Sequence, residues 1–232
     1  MIVLITGASQ GIGAAIAEAF ASEDGARLAL VARSEEKLAA VAEACRSLGA
    51  EAEVFVCDVT DDAAVARMAD AVRDRFGVPD ALVNNAGAFV PGGVLELSAA
   101  DFRAQIEVNL TSAFLVTHAF LKGMVERGAG DVFFMASTAS IQGYPTGAAY
   151  GAAKHGLLGL ARSLREEVKP HGVRVMSILP GATYTDSWAA SELPSERFMP
   201  PEDIARAVLA MHKMTGRTVV EELLLRPQLG DI

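Results

Sequence analysis

The chain has 232 residues, 51% of them hydrophobic, a formal net charge of −9 and a mean hydropathy of +0.30. That is apolar material enough for a real core, so a disordered chain is excluded, and acidic and basic residues are interspersed rather than blocked, which argues against nucleic acid as a partner. No apolar run reaches the ~18–20 residues of a membrane span, and the opening MIVLITGAS lacks the basic stretch of a secretion signal, which reads as a cytoplasmic chain.

The elements alternate along the chain with little interruption. IVLI (2–5) is a short apolar strand, followed by a glycine-rich turn and a helical stretch over 14–22. RLALVAR (27–33) reads as a second strand, and 34–48 as a helix behind an N-cap serine, with Cys45 in its pattern. EAEVFVCDV (51–59) is a third strand carrying Cys57, 61–76 a helix, and ALVNNAG (81–87) a fourth strand running into a turn. Residues 98–127 read as one long helix opening on Ser98, with Asp101 in the place of the usual glutamate of a capping box. DVFFMAS (131–137), a helix over 148–168, GVRVMSIL (172–179), a helix over 200–214 behind proline, and VVEELLLRP (219–227) complete the series.

Strands that read as unbroken apolar runs between amphipathic helices mean βαβ units buried on both faces. The expected fold is α/β, a Rossmann-type doubly wound parallel sheet of about seven strands flanked by helices on both faces. No repeat, low-complexity tract or linker divides the chain, so residues 1–232 read as one domain. Cys45 and Cys57 fit no metal-ligand spacing and read as reduced and structural; His118, His155, His171 and His212 show no ligand spacing either, so no metal is expected.

Two local patterns point to chemistry. T-G-A-S-Q-G-I-G (6–13) follows the first strand and opens the first helix, so Gly7, Gly11 and Gly13 allow a tight turn and a close backbone approach to a pyrophosphate at a helix N-terminus. Taken alone, such a loop could equally be a turn that merely joins strand to helix. In AAYGAAKHG, Tyr150 and Lys154 lie one helical turn apart and share a face. A free tyrosine titrates near 10, about three units above neutral, and a neighbouring ammonium favours its phenolate, which would fit it for proton exchange.

With NNAG at 84–87, Ser137 at a strand end and the glycine spacing G-x-x-x-G-x-G, the chain resembles the short-chain dehydrogenases/reductases over nearly its whole length. The resemblance implies an oxidoreductase that moves hydride between a nicotinamide and a carbonyl or secondary alcohol. It implies Tyr150 as general acid/base, Lys154 as its electrostatic partner and ribose contact, Ser137 on the substrate oxygen, and Asn109 holding a water in a proton relay. It also implies that Ser9, Gln10 and Ile12 complete the glycine cradle, that Asp58 and Val59 contact adenine, and that Asn85, Ala86 and Gly87 line the cofactor. Pro180, Gly181, Thr183 and Thr185 would meet the carboxamide, and Ser137, Gln142, Tyr144, Tyr150 and Trp188 would line the substrate pocket. Trp188 reads equally as a substrate wall or a packing anchor.

The second strand ends in Ala32-Arg33 without an aspartate. A carboxylate there would repel a 2′-phosphate, whereas a guanidinium binds phosphate well. NADP(H) is therefore the expected cofactor, with NAD(H) the alternative because Gln10 stands where many NADP-preferring relatives carry a second basic residue. The family implies a homo-oligomer, dimer or tetramer, built through helices 98–127 and 148–168. A non-catalytic dinucleotide sensor would tend to lose the Tyr/Lys pair, and a non-redox dehalogenase would lose the glycine loop; both features are present.

Overall fold

A computed structural model describes residues 1–188 and 191–232. Seven strands form one parallel sheet in the order β3-β2-β1-β4-β5-β6-β7. They are β1 (Ile2–Thr6), β2 (Arg27–Ala32), β3 (Glu51–Val56), β4 (Ala81–Asn84), β5 (Gly130–Met135), β6 (Val173–Pro180) and β7 (Glu222–Leu225). The helices are α1 (Gly11–Ala21), α2 (Glu35–Ser47), α3 (Asp62–Phe76), α4 (Ala99–Ile106), α5 (Ser112–Arg127), α6 (Ala148–Val168) and α7 (Pro201–His212). This is the doubly wound architecture that the sequence pattern predicts, and the strand order reverses between β1 and β4. Such a switch point opens a crevice at the carboxyl ends of the strands.

Alternation along each strand divides the core in two. Val3 and Ile5 face one side with Leu28, Leu30, Val83, Phe133 and Ile178, covered by Phe20 of α1, Leu38 of α2 and Val208 of α7. Leu4, Val31, Leu82, Val132 and Phe134 face the other, covered by Val72 of α3, Phe120 and Met124 of α5 and Leu157 of α6. Cys45 and Cys57 are buried and free, and burial raises the Cys45 thiol to about 11, so it packs as a small apolar group.

The ends of the elements follow capping chemistry. Ser34 accepts from the Lys37 N–H and so opens α2, as expected. Ser98 caps α4 by accepting from the Asp101 N–H, but the Asp101 carboxylate takes the Ser98 hydroxyl proton rather than the Ser98 N–H, so no reciprocal box forms. β3 stops at Val56 and β7 spans only Glu222–Leu225, both shorter than the apolar runs that contain them.

The expected single helix over 98–127 is interrupted by a π-helical turn, Glu107–Thr111, between α4 and α5. The side-chain amide of Asn109 donates to the Gln105 carbonyl at 3.0 Å. That carbonyl is the acceptor an α-helix would give to the residue 109 N–H, so the local winding loosens. The whole rod, Ala99–Arg127, has 29 residues and a mean hydropathy of 1.2 over an 18-residue window. By length and composition it is long enough to cross a membrane, against the expectation that no run reaches that size. Val116, Phe120 and Met124 nevertheless bury its apolar side on the sheet, as a core helix does.

At the sheet end far from the crevice, the buried Asp131 carboxylate pairs with Arg174 at 2.7 and 2.6 Å and with His212 Nδ1 at 2.7 Å. Arg174 also donates to the carbonyls of His212 and Met214, both at 2.9 Å, and thereby caps α7. Asp131→Ala would leave that guanidinium uncompensated. The expected loss is about 3 kcal/mol, or roughly 6–12 °C in Tm for a chain of this size, checked by thermal unfolding. A Tm unchanged within a degree would show that the cluster is not a pin.

Candidate active site

Tyr150 and Lys154 lie in the first two turns of α6, on one face, as the spacing requires. The helix seats closely because Gly156 has no side chain: a Cβ there would stand 2.9 Å from Leu110 Cδ2 of the π turn. Lys154 is buried, and its ammonium donates to the Met135 carbonyl at 2.7 Å. Nζ lies 5.5 Å from the centroid of the Tyr150 ring, over the face of the ring. Phe89 meets the same ring edge-on at 5.2 Å.

The electrostatics differ from the sequence expectation. Burial pushes Tyr150 above its usual value, partly offset by a hydrogen bond with Ser137. Burial also lowers Lys154 to about 8. Desolvation disfavours the charged form of each group. It outweighs their attraction here because Lys154 addresses a backbone carbonyl and the ring face. Tyr150 is thus held as the neutral phenol, the form that can give a proton.

Ser137 follows β5 and is fixed at both ends. Its Oγ accepts from the Ala139 N–H at 3.1 Å, and its own N–H donates to Ser140 Oγ at 3.2 Å. Ser140 is therefore a group that orients Ser137. Asn109 is buried; its Oδ1 accepts from the Ala88 N–H at 3.1 Å and its Nδ2 donates to the Ala88 carbonyl at 2.8 Å. Both amide ends thus hold the loop after β4. A Cβ on Gly87 would stand 2.7 Å from Asn109 Oδ1 and 3.6 Å from Lys154 Nζ, so a glycine is needed where these groups converge.

The glycine loop fits a dinucleotide phosphate. Gly7 and Gly11 adopt φ of +65° and +57°, in the left-handed region. A Cβ on Gly13 would collide with the Gly7 carbonyl oxygen at 2.2 Å. The first turn of α1 carries no side-chain cap and no acidic residue, so its N–H groups and dipole face the crevice. Asn85 braces the loop, donating to the carbonyls of Thr6 at 3.0 Å and Gly7 at 3.2 Å. Beyond it, Arg33 is exposed just past β2, and Asp58 is held by Thr60, whose backbone and hydroxyl bonds keep its carboxyl below the usual range. Val59 is buried beside it. A basic residue that the sequence reading missed stands here too: Lys37 Nζ donates to Gln10 Oε1 at 2.5 Å. Its proximity to position 10 was not legible because α2 folds back over the loop.

One cavity of about 580 Å³ brings most of these residues together. Its lining includes Gly7, Gln10, Gly11 and Ile12 of the glycine loop, Asn85, Ala86 and Gly87 after β4, and Asn109. Ser137, Tyr144, Tyr150, Lys154, Trp188, Pro180, Gly181, Thr183 and Thr185 also line it. Thr183 spends its hydroxyl on the Gly181 carbonyl at 3.1 Å. Trp188 lines the cavity and packs on Phe198 at 5.1 Å. Ala189 and Ala190, which follow Trp188, lie outside the described residues. Ser9, Gly13, Arg33, Asp58 and Val59 lie off the cavity wall.

Gln142, expected beside the substrate, does not line the cavity. It stands behind Tyr144, with Nε2 donating to the Tyr144 hydroxyl at 2.5 Å and to Asp231 Oδ2 at 3.0 Å. Phe89, Thr138, Asp186, Asp231 and Ile232 enter the wall without having been foreseen. Asp231 and Ile232 belong to no motif, and only the turn after β7 brings them in. Among the described residues, no three of His, Cys, Asp and Glu gather as metal ligands.

Comparison with known proteins agrees with this fold. Residues 1–195 match the family described as short chain dehydrogenase. The chain is 36% identical over 240 residues to a sepiapterin reductase of Chlorobaculum tepidum, covering 100% of this chain and 98% of the relative. Its fold superposes on an alcohol dehydrogenase from the archaeon Thermococcus sibiricus complexed with 5-hydroxy-NADP, with a TM-score of 0.91 and 36% identity over 98% of this chain and 96% of that one. It also superposes on a single-substitution variant of the actinorhodin polyketide ketoreductase with NADPH, with a TM-score of 0.91 and 32% identity over 100% and 97% of the two chains.

Proposed function

The chain belongs to the short-chain dehydrogenases, and from that premise we propose that it is an NADP(H)-dependent reductase of small carbonyl compounds with Tyr150 as its proton donor. The observation that carries this reading is the cavity in which the glycine loop, Asn109, Ser137, Tyr150 and Lys154 meet. NADP- and NADPH-bound structural neighbours support the cofactor, as does the exposed guanidinium of Arg33 past β2.

When bound, the nicotinamide supplies the hydride. The protein's residues do the rest. Gly7, Gly11 and the open first turn of α1 hold the pyrophosphate, while Arg33 is placed for a 2′-phosphate. Ser137, held by Ser140 and Ala139, presents its hydroxyl to the substrate oxygen and to Tyr150. The phenol of Tyr150 then protonates that oxygen, and Lys154 steadies the resulting phenolate. Asn109 keeps the loop at Ala88 in place beside Lys154. Burial keeps Tyr150 protonated at neutral pH, the form that donates in the reducing direction. The whole chain works as one domain in this reading, and the exposed Phe102 and Phe114 on α4 and α5 provide an apolar face for a homo-oligomer.

Purified protein is expected to consume NADPH with a panel of small aldehydes and ketones, followed by nicotinamide absorbance. No turnover with either NADPH or NADH would overturn the reading. Arg33→Asp is expected to raise the Kd for NADPH by about 10- to 100-fold, the value of a lost charge-assisted contact, and to narrow or reverse the preference over NADH. Equal titrations for wild type and variant would place Arg33 in solvent.

A further inference from the structure

The loop that leaves β4 carries Ala88, Phe89 and Val90, none of them in a helix or strand. Among the described residues, no backbone–backbone hydrogen bond involves any of the three. Two buried side-chain amides hold the loop instead. Asn109 takes both the N–H and the carbonyl of Ala88. Gln105, four residues earlier, is the one buried residue of α4. Its amide, oriented so that each end has a partner, accepts from the Val90 N–H at 2.8 Å and donates to the Ala88 carbonyl at 3.0 Å. Burying an amide is unfavourable unless both ends are bonded, so these two contacts are what hold Gln105 inside.

Between the two anchored residues stands Phe89. Its side chain is 46% exposed, so packing alone does not set its position. The ring nevertheless lines the cavity and meets the Tyr150 ring edge-on, at 5.2 Å and 69°. An aromatic contact of this geometry is favourable only while both rings keep their places. The backbone bonds on either side of Phe89 are therefore what keep its ring against Tyr150. Gln105 itself is absent from the cavity wall.

We propose that Gln105 is a positioning residue: by anchoring Ala88 and Val90 it holds Phe89 against Tyr150, and that ring contact keeps the phenol aimed at the substrate oxygen. This rests on the carbonyl-reductase reading, in which Tyr150 is the proton donor.

The test is a double-mutant cycle with NADPH and the most active carbonyl compound of the panel above, using Gln105→Met, Phe89→Ala and the two combined. Methionine keeps the length of glutamine and removes the two hydrogen bonds. Gln105→Met is expected to lower kcat by about tenfold or more, because small displacements of a reacting group are costly, while the Kd for NADPH stays within about twofold of wild type. Phe89→Ala is expected to lower kcat on the same scale, and the double variant to be no worse than Phe89→Ala alone, the mark of two residues acting through one contact. A merely structural role would lower kcat by the same factor with or without the Phe89 ring. Equal factors in both backgrounds overturn the proposal, as does weakened NADPH binding in Gln105→Met. So does a kcat within about twofold of wild type in either single variant. Phe89 is half-exposed, so its variant tests the ring contact even where Gln105→Met fails to fold. A wild type that turns over no carbonyl compound would instead overturn the underlying reading of the site, and this proposal with it.

Discussion

Tyr150→Phe is expected to lower kcat for carbonyl reduction by about 10²–10⁴-fold, the usual share of a positioned general acid, while NADPH binding survives. Phenylalanine keeps the ring, so the edge-on contact with Phe89 at 5.2 Å and the packing of α6 remain. What is lost is the hydroxyl that burial keeps protonated. Steady-state kinetics with a fluorescence titration of NADPH separates the two effects. Turnover within a few-fold of wild type would sink the acid/base role, and loss of NADPH binding would show that the substitution had damaged the cleft instead.

Lys154→Met is expected to reduce turnover on a similar scale, and it carries a second signature in stability. The folded protein holds the lysine at about 8 against an ordinary 10.5, so burying the ammonium opposes folding by on the order of 3 kcal/mol at neutral pH. The sign follows from which state holds the proton. Between about pH 8 and 10.5 the unfolded chain keeps it and the folded chain does not, so stability rises with pH across that window. Methionine has nothing to titrate there and should lack that rise. It also leaves the Met135 carbonyl without its donor, which costs about 1–3 kcal/mol at every pH, so the slope is diagnostic and the absolute Tm is not. Denaturant unfolding of both proteins from about pH 7 to 10.5 reads it, and parallel curves would mean that Lys154 titrates normally. In wild type the same titration should make kcat/KM for reduction fall as pH rises through about 8, because the charge that steadies the phenolate is then lost.

Most of the fold was legible because its signals are local. Apolar runs such as IVLI and RLALVA encode two-sided burial, and β1 and β2 occupy nearly the predicted spans. Helix α6 spans 148–168 as its periodicity predicts. Where the reading slipped, a tertiary or side-chain contact had the last word. The apolar pattern of 98–127 does not record that Asn109 takes the Gln105 carbonyl and opens a π turn. The strand-like run of 51–59 outlasts the partner residues on β2, so β3 ends where its pairing ends, at Ala32↔Val56.

The site divides the same way. By itself the sequence determined the order of elements, the glycine loop and the identity of the Tyr150 and Lys154 pair, because spacing along a helix or a tight turn is a property of neighbouring residues. Only the tertiary structure decided how these groups behave. Packing aims Lys154 at the Met135 carbonyl, so desolvation rather than mutual attraction sets both pKa values. Folding also brings Lys37 to Gln10 across 27 positions and Asp231 to Gln142 across 89. Contacts of that separation carry no periodic trace in a single sequence; they exist because the sheet order places distant chain ends at one crevice.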